Sequence, residues 1–147
     1  MTAPSALPAT AEADADALVE YIAGFAYSML GSRRAFLPAG AAITHTGELE
    51  PFAAEPDPTA SAVEMFALLL DGARQSRDDW RAVCLAIDTA HPELGDTIEF
   101  HLDFAGGSTG LVLLLPYRPG GLWREPVFGD PVTSPGPSFV YGDPSPD

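Results

Sequence analysis

Apolar side chains recur at helical spacing in two stretches of this chain and at every second residue in two others. From about Asp14 to Leu30, the residues Leu18, Ile22, Phe25 and Met29 mark one face of a helix. Glu12, Asp14 and Asp16 stand near its start, where the helix dipole favours negative charge, and Gly31 with the Arg33–Arg34 pair marks its end. "AFLPAGAAITHTGELEPFAAE" then predicts a strand, a turn at Thr46–Gly47 and a second strand. Pro38 and Pro51 favour edge or irregular positions there, because proline has no N–H for a ladder. "SAVE", Ser61 to Glu64, has the form of a capping box, and Val63, Phe66, Leu69, Leu70 and Ala73 continue as the apolar stripe of a second helix.

In "WRAVCLAID", the bulky Val83, Leu85 and Ile87 alternate with the small Ala82, Cys84 and Ala86, which is the periodicity of a strand. "TIEFHLDF" alternates in the same way, with Ile98, Phe100, Leu102 and Phe104 on its apolar side. "AGGSTG" is a hairpin connection, and "LVLLLPY" is apolar on both faces, as expected of a strand covered from both sides. Leu122 to Phe128 has room for one more short strand. Residues 126 to 147 hold six prolines and no basic residue, the composition of an extended tail. The expectation is an α+β fold: an antiparallel sheet of about five strands and two helices, in the order α-β-β-α-β-β-β, with a proline-rich C-terminal tail. Consecutive hairpins place both helices on one face of that sheet. Three segments follow: a flexible N-terminus at 1–12, a single domain at 13–128 and the tail at 129–147.

The chain has 147 residues, the size of one domain, and 46 % of them are apolar, enough for a packed core. Its formal charge of −14, with no lysine, argues against nucleic acid and anionic membranes as partners and favours a basic protein. A single cysteine, Cys84, allows neither an intrachain disulfide nor a cysteine-based zinc cluster. The N-terminus lacks the basic segment and long apolar run of a secretory signal, so the expected location is the cytoplasm.

Candidate chemistry is sparse. Glu99, His101 and Asp103 share one face of a strand at a spacing of about 6.5–7 Å, too wide for one metal ion, and read mainly as the solvated face of the sheet. Asp88, His91, Glu93 and Asp96 in "DTAHPELGD" are the better metal or acid–base candidates, because a loop curls its side chains around a cation more readily than a strand does. The same residues are ordinary turn formers. "GGSTG" lacks the lysine and the following helix of a phosphate-binding loop, and Ser108 lacks a nucleophile elbow. Cys84 sits between alanines as a small buried residue would. Arg74, Arg77 and Arg81, beside Trp80, form the one arginine cluster, suited to the helix dipole or to Asp78 and Asp79.

The stretch "FLPAGAAITHTGE" has the form F-x-P-x-G-A-x-I-x-x-x-G-E. It resembles the segment after the first helix in small uncharacterised bacterial α+β proteins, some of which neutralise toxins or bind partners. The strand order is similar to that of profilin-like and roadblock-like modules. The resemblance implies a partner-binding or dimer-forming role and transfers no catalytic residue. The resulting expectation is a non-catalytic acidic module, of the immunity, antitoxin or adaptor kind, that needs no cofactor and binds a protein partner. The alternatives are a small enzyme or metal-binding protein using Asp88 to Asp96, and a homodimeric structural subunit. Val112, Leu114, Phe139, Val140 and Tyr141 are the expected partner-binding residues, and the "SFVYG" cluster is expected to pack back on the domain or on a second subunit.

Overall fold

The computed structural model describes residues 9–31, 38–53, 59–106, 109–118 and 125–142. Two helices flank an antiparallel sheet, so the fold is α+β. The first helix, α1, spans Ala9–Gly31 and so begins inside the segment read as a flexible N-terminus. Its buried side chains include Leu18, Ile22, Ala26 and Leu30, an i, i+4 series. Phe25, expected on the buried face, is 43 % exposed, and Met29 is half-buried. The facing sheet explains the difference. It presents Ala41, Ala82, Cys84 and Ala86, and small side chains on both layers let the backbones approach where a phenylalanine would not fit.

Strands β1 (Ala39–Thr44) and β2 (Leu49–Phe52) form the expected hairpin. Its turn carries Gly47 at φ 92°, a left-handed conformation that glycine adopts without steric cost. Helix α2 (Ala62–Ser76) opens with the capping box read from "SAVE": Ser61 Oγ accepts from the Glu64 N–H, and the Glu64 carboxylate accepts from the Ser61 N–H. It buries Met65, Leu69 and Ala73, whereas Val63, placed by the sequence on the apolar stripe, is 70 % exposed.

A 3-10 turn at Arg77–Asp79 leads into the long strands β3 (Trp80–His91), β4 (Gly95–Phe104) and β5 (Gly110–Arg118). Two further strands, β6 (Val127–Phe128) and β7 (Val132–Gly136), pair with β5. Among the described residues the sheet therefore has seven strands rather than about five, in the order β2-β1-β3-β4-β5, with β6 and β7 sharing the outer edge of β5. The sequence order thus extends beyond α-β-β-α-β-β-β. Between the two edge strands, Leu115 and Pro116 of β5 face three residues, Gly129, Asp130 and Pro131, which is a β-bulge. Proline at an edge loses no ladder partner it needs, which is how a segment read as a proline-rich tail contributes strands.

The helices lie on opposite faces, not on one. α1 packs on Ala41, Cys84, Phe100 and Leu102, and α2 packs on Ala42, Val83 and Leu85. The alternation in β3 accounts for both. Its small residues meet α1 and its bulky ones meet α2, so the strand is buried on each side. Arg81 locks the first layer to the sheet by a bidentate ion pair with Asp14 of α1, at 2.8 and 3.0 Å.

Gly40 marks the closest approach on the α2 side of β1. A Cβ there would lie 2.5 Å from the Phe52 ring, which is stacked on Trp80 with centroids 5.0 Å apart, and 2.9 Å from Leu85. Gly40→Ala is expected to lower the unfolding free energy by about 1–3 kcal/mol through overpacking. Urea titration should show a lower midpoint with an unchanged slope.

Candidate protein-interaction site

Glu99, His101 and Asp103 do share one face of β4, but that face is covered by protein. The register places His101 beside Leu85 of β3 and Val112 of β5, on the side where α2 packs. Asp103 has no exposed surface, and His101 and Glu99 are partly buried. The His101 ring stands edge-on to Phe66 of α2 and to Phe139, with centroids 5.4 and 5.8 Å away, while its Nε2 pairs with Glu99 at 3.1 Å. Sequence periodicity identified the shared face, but the chain that covers it comes from α2 and from residues 138–142.

That C-terminal segment forms a single turn closed by the Gly142 N–H on the Ser138 carbonyl. Asp103 receives it. Ser138 Oγ donates to both carboxylate oxygens at 2.9 and 3.0 Å, and the N–H groups of Val140 and Tyr141 donate to Oδ2 at 2.8 and 2.9 Å. The Phe104 N–H completes the set at 3.0 Å. Asp103 thus acts on the turn as an N-cap residue acts on a helix, but from a distant strand. The opposite polarity is met by α2 and the residue that follows it, with Arg74 donating to the Phe139 carbonyl and Arg77 to the Val140 carbonyl, both at 2.9 Å. Tyr141 donates to the Trp80 carbonyl, and burial, with the charges of Asp103 and Asp78, pushes its hydroxyl well above the usual tyrosine range.

Val140 is fully buried in the second core cluster, with Phe139 and Tyr141 packed beside it. Val112 and Leu114 are half-buried on the same face. The arginine cluster is consumed internally: Arg74 and Arg77 hold the turn and Arg81 holds α1, not Asp78 or Asp79.

The structure does not bring Asp88, His91, Glu93 and Asp96 together. Most of "DTAHPELGD" is strand, and only Pro92 to Leu94 forms the turn. Asp88 pairs with Ile98 and Asp96 with Ala90, which puts both carboxylates on the α1 side, while His91 falls on the other. His91 Nδ1 accepts the N–H groups of Glu93 and Leu94, so it caps its own turn. Tyr117 donates to both oxygens of Asp88 at 2.8 Å. Among the described residues, no group of three or more His, Cys, Asp or Glu residues is placed to hold a metal ion. Burial in the core pushes the Cys84 thiol far above its usual range, which makes it unreactive. Ser108 lies outside the described residues.

A cleft of about 540 Å³ opens on the α1 side, between that helix and strands β4, β5 and β7. Leu102, Leu111 and Leu113 form its floor, with Ala15 and Val19 on the helix wall. Glu12, Asp16 and Glu20 rim it at i, i+4 and i+8, and none of the three side chains makes an ion pair or hydrogen bond among the described residues. Like charges at this spacing destabilise a helix by about 0.2–0.5 kcal/mol per pair, and the dipole favours only the first of them. Helix stability therefore does not account for the stripe. No helix among the described residues is long and apolar enough to cross a membrane. The chain matches no protein-family profile, curated protein sequence or solved structure.

Two outcomes follow from this geometry. Asp103→Ala leaves buried N–H groups without an acceptor and should cost about 2–4 kcal/mol of stability, read by thermal or urea unfolding. Asp88 is raised from its usual value chiefly by burial, with the Tyr117 hydrogen bond opposing. A carboxyl raised on folding favours the native state below its unfolded pKa and loses that contribution as pH rises through the folded value. The stability of wild type relative to Asp88→Asn should accordingly improve as pH falls from about 7 to about 4, as read by urea midpoints.

Proposed function

We propose that this protein is a non-catalytic acidic binding module that engages a basic amphipathic segment of a partner protein, as an immunity or adaptor protein does. The observation that carries this reading is the cleft beside α1: an apolar floor of Leu102, Leu111 and Leu113 under a rim of Glu12, Asp16 and Glu20. A helix with leucines on one face and cations along its flank has the complementary pattern. Its apolar face would supply affinity, and the −14 charge of the chain would speed encounter. The arginines of the arginine cluster point into internal contacts, so they do not offset the rim.

The test is fluorescence anisotropy with a labelled helical peptide carrying leucines on one face and lysines at i, i+4 along its edge. Replacing Glu12, Asp16 and Glu20 by Gln, Asn and Gln should weaken binding about tenfold, at under 1 kcal/mol for each exposed charge pair. The same loss of charge elsewhere, by Glu48→Gln, Asp71→Asn and Glu93→Gln, should change it far less. Equal weakening in both variants would mean that the peptide senses net charge alone and would defeat the assignment of this cleft.

A further inference from the structure

The clamp around Asp103 recognises its occupant mainly through atoms that every peptide has. Two of its contacts go to backbone N–H groups, of Val140 and Tyr141, and two to backbone carbonyls, of Phe139 and Val140. Side-chain selection comes from a hydroxyl at Ser138, an aromatic ring at Phe139 against His101, an aliphatic group at Val140 and the ring and hydroxyl of Tyr141. A site that satisfies both donors and acceptors of a single turn, beside a fully apolar pocket, has the chemistry of a peptide receptor.

The arm that delivers the turn is held lightly. Val132, Thr133, Ser134 and Pro135 of β7 are all exposed, and the arm pairs with the sheet on one edge only. Pro135 and Pro137 have no N–H to give, and the bulge at 129–131 interrupts the ladder above. Most of the burial along residues 132–142 is concentrated at the clamp. β7, with its exposed one-sided pairing and little apolar burial, is the kind of segment that opens below the global unfolding threshold, which leaves the clamp as the main hold on the turn.

We propose that Ser138–Gly142 is an internal ligand that opens as a unit, and that the vacated clamp binds a surface turn of a partner protein with a hydroxyl residue, an aromatic residue, Val or Ile, and Tyr or Phe in succession. The clamp is on the α2 side of the sheet and the acidic cleft on the α1 side, so this site and the proposed basic-helix site stand or fall separately. The partner's turn would place its hydroxyl and two N–H groups on Asp103, its carbonyls on Arg74 and Arg77, and its aliphatic side chain in the pocket of Val140.

Two measurements test the proposal. In the intact chain, the amides of Val140 and Tyr141 should exchange with solvent at least about a hundredfold faster than those of Val83 and Leu85, with a weaker dependence on urea, as expected of local opening. Exchange at the rate and urea dependence of the β3 amides would make the turn an integral part of the core and overturn the proposal. The second uses the full-length Val140→Asp chain, whose own turn no longer docks, and the synthetic peptide PGPSFVYGD followed by NMR. Saturable binding is expected, about tenfold tighter than to wild type, where the resident turn competes, and lost when the peptide's serine is alanine or when Asp103→Asn is added to the chain. If Val140→Asp does not fold, Ser138→Ala serves as the weakened background with the same expected order. A folded variant that shows no saturation at millimolar peptide, or binds a scrambled peptide equally, would overturn the proposal.

Discussion

A carboxylate without solvent exposure governs how this fold closes. Asp103 sits on a central strand with no cation against it among the described residues, so its charge is met only by N–H and O–H groups. An unsatisfied charge at such a position would be prohibitively costly, whereas hydrogen bonds to a charged acceptor contribute about 1.5–3 kcal/mol each. One donor is local, the N–H of Phe104. The rest come from residues more than thirty positions downstream, so the sheet face around β4 is incomplete until the C-terminal turn arrives.

That dependence orders the second layer. α2 covers β1 and β3, and the turn covers the ground between β3 and β4, with Phe139 and Phe66 both in edge contact with the His101 ring. Arg74 and Arg77 join the helical side to the turn by donating to its carbonyls, a use of arginine that depends on its fixed, planar donor geometry. Arg74, Arg77 and Arg81 are engaged by the turn and by Asp14, and the side chains of the carboxylate stripe on α1 have no partner among the described residues.

Local signals in the sequence were sufficient for several elements. The capping box at Ser61–Glu64, the glycine turn at Gly47 and the alternation in "WRAVCLAID" and "TIEFHLDF" are short-range patterns, and each corresponds to an element at that place. Periodicity also established that Glu99, His101 and Asp103 share a face, because strand side chains alternate whatever surrounds them. The helix faces were less legible. Phe25 and Val63 fit the apolar spacing as well as Ala26 and Met65 do, and only the shape of the opposing strands selects the smaller or more flexible residue.

The sequence by itself determined the α+β class, the long antiparallel hairpins and the acidic balance, since these rest on period, turn chemistry and composition. Only the tertiary structure decided which side of the sheet each helix takes, that residues 127–136 add two edge strands, and that Asp103 is an interior acceptor and not a wetted side chain. It also separated Asp88 and Asp96 from His91, because alternation within a hairpin sends neighbours in sequence to opposite faces. Each of these depends on contacts between segments far apart along the chain, whose energies come from mutual fit and from pairing of buried polar groups. No window of local sequence contains both partners of such a contact.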